Sequence, residues 1–148
     1  MMTTDVIPRP ALLLGWAGVI PFALLTAASA LDIHPWSLDM TMALRAYGAC
    51  ILSFMGGVQW GILLPRDAGR APFSRYLISV GPALVAVLCL LISNGAGLTG
   101  LIAGFLALLA YDIATVRQGL APRWYTSLRV QLTLAVVALL GITLLARL

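Results

Sequence analysis

The chain has 148 residues, 61% hydrophobic and 9% charged, where soluble domains carry about 45–50% and about 25%. So few polar groups cannot cover the surface of a soluble fold, so composition alone excludes a soluble globular domain. All nine basic residues are arginine and all five acidic ones aspartate, for a net charge of +4. In a soluble protein that excess would point to nucleic acid. Here the arginines flank apolar runs, where membrane topology signals sit, so the bilayer and not nucleic acid is the expected partner.

A helix needs about 20 apolar residues to cross a hydrocarbon core of about 30 Å. After a short tail, residues 1–10, the first uncharged run covers residues 11–31. Arg9, this run and Ala28-Ser29-Ala30 together imitate a cleavable signal peptide. The 21 apolar residues exceed the about 7–15 of a signal core and include Trp16 and Pro21, so they read as a retained helix. A loop with Asp32, His34 and Asp39 follows; one histidine and two aspartates make a poor metal set, and solvation explains them. The second span is predicted over residues 46–65.

Residues 76–111 are also uncharged, yet as one helix they would be roughly 54 Å long at about 1.5 Å per residue. The run must turn back. Ser93-Asn94-Gly95-Ala96-Gly97 has turn-favouring, helix-weakening residues, which splits the run into spans 76–93 and 96–111. The last span is predicted over residues 128–146. With five spans, Arg9, Arg66, Arg70, Arg75, Arg117, Arg123 and Arg129 fall on one side and Arg45 and Arg147 on the other, seven to two. A single central helix would give five to four, hardly a bias. The expected fold is therefore all-α: a polytopic bundle of five transmembrane helices in one domain, residues 11–147. By the positive-inside rule its N-terminus is cytoplasmic and its C-terminus outside. Cys50 and Cys89 lie inside apolar runs and suggest no disulfide framework.

Three segments carry a family resemblance: Leu14-Gly15-Trp16-Ala17-Gly18-Val19-Ile20-Pro21-Phe22, then Tyr47-Gly48-Ala49 through Ser53-Phe54-Met55-Gly56-Gly57-Val58-Gln59-Trp60-Gly61, then Leu120-Ala121-Pro122-Arg123-Trp124-Tyr125 through Arg129. Together they resemble the family catalogued as domain of unknown function 3429, over nearly the whole chain. The resemblance implies a small multi-span protein of bacterial inner membranes or of mitochondria. It implies no activity and supplies no catalytic residues.

Gly57 and Gly61, and likewise Gly100 and Gly104, stand four apart, a spacing that lets helix backbones approach closely in lipid. Pro21 and Pro82 each remove a backbone donor, and Pro82 after Gly81 marks a kink, although the favoured reading is a proline tolerated in a transmembrane helix without functional bending. Gln59 is the polar residue expected at depth, near Ser53 on the same span, and an amide there needs a partner across a helix interface. The adjacent Trp60, with Trp16, Trp124, Tyr76, Tyr111 and Tyr125, suits the headgroup level. Asp112 ends the predicted fourth span, where the helix dipole disfavours a carboxylate, so Arg75 or Arg129 is expected to pair with it. The alternative is a solvated carboxylate.

No nucleophile triad, paired carboxylates at depth, phosphate loop or CxxC is present, and no ionisable residue of the kind proton-coupled transport needs lies between the flanking charges. The sequence therefore reads as neither an enzyme nor a cofactor protein. It reads as a structural or accessory membrane component acting through helix contacts, in a homo-oligomer or a larger complex. The alternative is a protein that binds or transports a lipid- or quinone-like small molecule, with its arginine-rich face meeting anionic lipid.

Overall fold

The computed structural model describes residues 6–33, 35, 38–67 and 72–147, and the side chains of all of these but 63–67. His34, Trp36, Arg70 and the arginine side chain at position 66 lie outside what is described. Six helices follow one another: α1 (Arg9–Ala17), α2 (Ile20–Ala30), α3 (Met40–Asp67), α4 (Phe73–Leu91), α5 (Asn94–Arg117) and α6 (Arg123–Ala146). No strand occurs among the described residues. α1 and α2 together form the first of five segments long and apolar enough to cross a membrane, and the other four helices are one each. The protein is thus an all-α, five-span membrane bundle.

The first span is broken by Pro21. Its missing N–H and its ring are incompatible with a helical turn reaching back to Ala17, and Ala17 is where α1 stops. α2 restarts at Ile20 with the proline in its first turn, where no donor is needed. The break exposes a carbonyl at Gly18, and the Tyr47 hydroxyl from α3 donates to it at 2.9 Å. Pro82 behaves differently, because α4 runs unbroken through it from Phe73 to Leu91.

Turn chemistry fixes the remaining joints. The Asp39 carboxylate accepts the N–H groups of Thr41 and Met42 at 2.8 and 3.2 Å and so caps α3. α5 ends in a left-handed glycine, Gly119 at φ 73°, with Gly119 N–H donating to Val116 O and Leu120 N–H to Thr115 O, both satisfying final-turn carbonyls. The turn between α4 and α5 is tighter than predicted: α4 ends at Leu91 and α5 begins at Asn94. Asn94 through Gly97 are helical, so only Ile92 and Ser93 make the tip.

The helices close a ring, α2 to α3 to α4 to α5 to α6 and back to α2, with α3 also packed on α5 across its middle. Phe22 stands at that centre, edge-on to Tyr47 and Phe105 with centroids 4.9 and 6.3 Å away. The two glycine pairs part company here. A Cβ at Gly100 would lie 2.6 Å from Cys89 Sγ, and one at Gly104 2.8 Å from Leu52 Cδ2, so that pair seats α5 closely against its neighbours. Gly57 and Gly61 face open space. Of the cysteines, Cys89 is buried and Cys50 exposed, and both are free.

Candidate functional site

A polar cluster lies inside the bundle near the end where α3 gives way to α4 and α5 to α6. α5 continues five residues beyond Asp112 and α6 begins six residues before Arg129, which puts both about 7–9 Å inside their helices. Asp112 is therefore not the end of its span, and it is 1% exposed. Arg129 is 5% exposed, and its Nε donates to Asp112 Oδ2 at 2.5 Å. Gln59, 2% exposed on α3, donates through Nε2 to Asp112 Oδ1. The half-buried Tyr125 adds a hydroxyl at 3.5 Å from the same oxygen. Three helices thus converge on one carboxylate, and the opposite charges make the core of the cluster formally neutral.

Of the arginines considered for Asp112, Arg129 makes the pair. Arg75 instead donates to Gln118 Oε1 at 3.1 Å at the exposed end of the hairpin. Ser53 is not joined to Gln59, because its hydroxyl folds back on Ala49 O at 2.8 Å in its own helix. Trp60 points outward and packs edge-on to Tyr76, centroids 5.6 Å apart. Asp112 and Arg129, read from the sequence as flanking charges, lie inside helices because the helices are longer than the charge-free runs. That correction extends to Arg45, which α3 carries inward from its early start at Met40.

Beside the cluster is a cavity of about 120 Å³ between α1, α2, α3, α5 and α6. Gly15, Gly18, Phe22, Phe54, Met55 and Phe105 are among its walls, with Arg129, Thr133 and Val136 along α6. Arg129 Nη1 lies 2.7 Å from Met55 Sδ, a weak acceptor. Its Nη2 and the Thr133 hydroxyl are buried without a hydrogen-bond partner. Residues four apart on a helix share a face, so both residues stand on the side of α6 that borders the cavity, although neither unpaired atom has surface accessible from it. Arg45 Nε, at the other end of the bundle, is likewise buried without a partner, and each such atom carries the cost of an unmade hydrogen bond.

At the other end of the bundle, Arg45 is 2% exposed. Its guanidinium donates to Cys89 O, to Ile92 O at 2.7 Å and to Asn94 Oδ1, tying α3 to the turn between α4 and α5. A Cβ at Gly97 would sit 2.5 Å from Arg45 Nε and Nη2, so only glycine admits the guanidinium here. Arg147 makes a looser tie across the same end, from Nη2 to Ser29 O at 2.7 Å and to Asp32 Oδ1 at 3.4 Å. Sequence reasoning treated both as topology charges. A hint was available for Arg45, since it stands one residue before an apolar run long enough to start earlier. Among the described residues no group of three or more His, Cys or Asp side chains could hold a metal ion.

A family model described as a protein of unknown function (DUF3429) matches residues 7–145. The chain is similar to transmembrane protein 69 of Xenopus tropicalis, 39% identical over 141 residues covering 90% of this chain and 53% of that protein. It is similar also to transmembrane protein 69 of Mus musculus, 31% identical over 142 residues covering 93% of this chain and 56% of the relative. The chain thus spans about half the length of these curated relatives. No solved structure matches it.

Proposed function

Because the chain belongs to the DUF3429 family, whose model covers all five spans, we propose a role for it as a small multi-pass protein that binds a membrane-dissolved molecule in the cavity beside Arg129. The observation that carries this reading is an apolar cavity of about 120 Å³ inside the bundle, bordered by Phe22, Phe54, Phe105 and Met55 and by the polar residues Arg129 and Thr133. Ligand pockets are concave, mostly apolar spaces with a few polar residues at their border, and this one matches that description. The role needs no catalytic chemistry and no resident cofactor. Native-membrane purification followed by mass spectrometry tests it: an apolar molecule should accompany the wild-type protein and be lost from Val136→Phe, which fills the cavity. Equal recovery with both proteins refutes binding in this cavity.

A structural or accessory role through helix contacts is the second reading, and one residue favours it. Gln131 is exposed on α6, eight residues and about 12 Å from the helix start. An amide directed at hydrocarbon gains from a partner helix, whether a second copy or another membrane protein. Gln131→Leu should then lower recovery of an assembled species on native gels without lowering the amount of protein.

For placement we infer a bacterial or mitochondrial inner membrane with the arginine-rich end inside. Arg129 and Arg45, one from each end, are buried in the bundle, so the seven-to-two bias becomes six to one for the rest. The six can also attract anionic headgroups at that face. A reporter fused after Leu148 should report the outside; cytoplasmic signal there would reverse the assignment.

A further inference from the structure

The outer face of α6 differs in kind from that of α4. α4 turns large aliphatic side chains outward, Leu77, Leu84, Leu88 and Leu91 among them, and such a surface is as well satisfied by lipid tails as by protein. α6 instead exposes Gln131, whose amide makes no hydrogen bond among the described residues. The residue lies seven positions and about 10 Å deeper than Trp124, which suits the headgroup level, so the surrounding hydrocarbon offers that amide no partner. Resting on the helix-contact reading given above, we infer that α6 is a self-association seam: a second copy of this chain packs on it in parallel across a two-fold axis, with the two Gln131 amides bonded to each other.

Spacing, size and symmetry agree. Ser127, Gln131, Leu134, Ala138, Gly141 and Leu145 follow one another by four and three residues in turn, the repeat that keeps one stripe facing a neighbouring helix at a crossing of about +20°. The stripe is on the open side of the helix, with five of the six exposed and Gly141 half-buried. A Cβ at Gly141 would meet nothing within 4 Å, so nothing in the single chain requires glycine there. Its small size, with that of Ser127 and Ala138, lets a second backbone come close, and close packing is what holds helices together in lipid. The polar group decides the occupant. An amide carries both donors and an acceptor, so two of them related by a two-fold axis satisfy each other with no further residue. Copies of one chain insert in the same orientation, so that axis stands along the membrane normal and sets the two amides at one level. Arg123 opens the same stripe, and at the headgroup level two such charges are screened by water and anionic lipid.

The experiment places the full chain, dye-labelled after Leu148, in vesicles at decreasing protein-to-lipid ratio and counts chains per assembly by single-molecule photobleaching. Wild type should pass from dimer to monomer on dilution. Gln131→Leu should weaken the dimer about tenfold. Gly141→Phe should weaken it by about tenfold or more and leave the thermal unfolding midpoint of the dilute monomer unchanged, because the position is open in the single chain. With Cys50 and Cys89 replaced by alanine, Leu134→Cys should cross-link on oxidation and Leu88→Cys on α4 should not. A dimer unaffected by both Gln131→Leu and Gly141→Phe, or cross-linked as well through position 88 as through 134, overturns the seam. Wild type that stays monomeric at every density overturns the second copy. Native gels of the source membrane then separate that failure from failure of the helix-contact reading: a species lost with Gln131→Leu assigns the face to another membrane protein, and the lack of any such species removes both.

Discussion

Arg129 and Arg45 are the same residue type, buried to nearly the same degree, near opposite ends of one bundle. Arg45 meets backbone carbonyls and an amide where the chain reverses, and its work is to hold that turn against α3. Arg129 is anchored at Nε by Asp112, has Nη1 against Met55 Sδ and leaves Nη2 unpartnered, and the residue borders an apolar cavity. Each guanidinium keeps one buried nitrogen unpartnered, Nε in Arg45 and Nη2 in Arg129, so the difference lies in the partners: neutral acceptors at a chain reversal for Arg45, a carboxylate of opposite charge beside a cavity for Arg129.

The largest effect should come from breaking the Asp112–Arg129 pair on one side. Asp112→Leu strands a buried cation and should cost about 3–5 kcal/mol, read as a lower unfolding midpoint in detergent. Asp112→Leu with Arg129→Leu should recover much of that loss, whereas Asp112→Leu with Arg75→Gln should be additive, because Arg75 bonds Gln118 instead. Recovery with Arg75→Gln would contradict the observed pairing.

Next in size is the Arg45 staple. Arg45→Met frees the carbonyls of Cys89 and Ile92 and the Asn94 amide, and should cost about 1–3 kcal/mol. Unlike loss of Asp112, it should leave the cavity's ligand binding intact, and it should raise hydrogen exchange at residues 92–97 first. Protection lost equally around Arg129 would mean that the two ends are not independent.

Smaller again is Gln59→Leu, which removes one of several donors to Asp112 and should cost about 1–2 kcal/mol by the same detergent assay. The smallest effect belongs to the outward glycines. Gly104→Ala meets Leu52 at 2.8 Å and should destabilise, while Gly57→Ala meets nothing within 4 Å and should be neutral or gain a few tenths of a kcal/mol from helix propensity. A marked loss on Gly57→Ala would reveal a packed partner helix on that face.

Much of this architecture was legible beforehand. The five spans follow from apolar length against bilayer thickness, and the central reversal from the impossibility of a 36-residue crossing. The helix bounds were less accessible. Reading spans from the charge-free runs, with Leu128 and Arg129 added to the last, placed their starts at residues 46, 76 and 128, whereas the helices begin at Met40, Phe73 and Arg123. The discrepancy has one cause: a charge inside a helix is excluded only if it faces lipid, and Arg45, Asp112 and Arg129 face protein. Gln59 stood out because an amide at depth demands a partner, but the identity of that partner depended on the rotation of α5 about its axis. The two glycine pairs have the same spacing, and nothing in that spacing told which would be packed.

The sequence by itself determined that this is a five-span membrane protein with its arginines concentrated at one end, because burial in lipid requires uninterrupted apolar length and leaves charge at the margins. Only the tertiary structure decided which charges turn inward, which carboxylate meets which arginine, and that Arg129 and Thr133 border a cavity with donors unmatched. Crossing a bilayer is a property of each segment alone. The facing of a side chain, and what it meets there, depends on five helices fitting together at once.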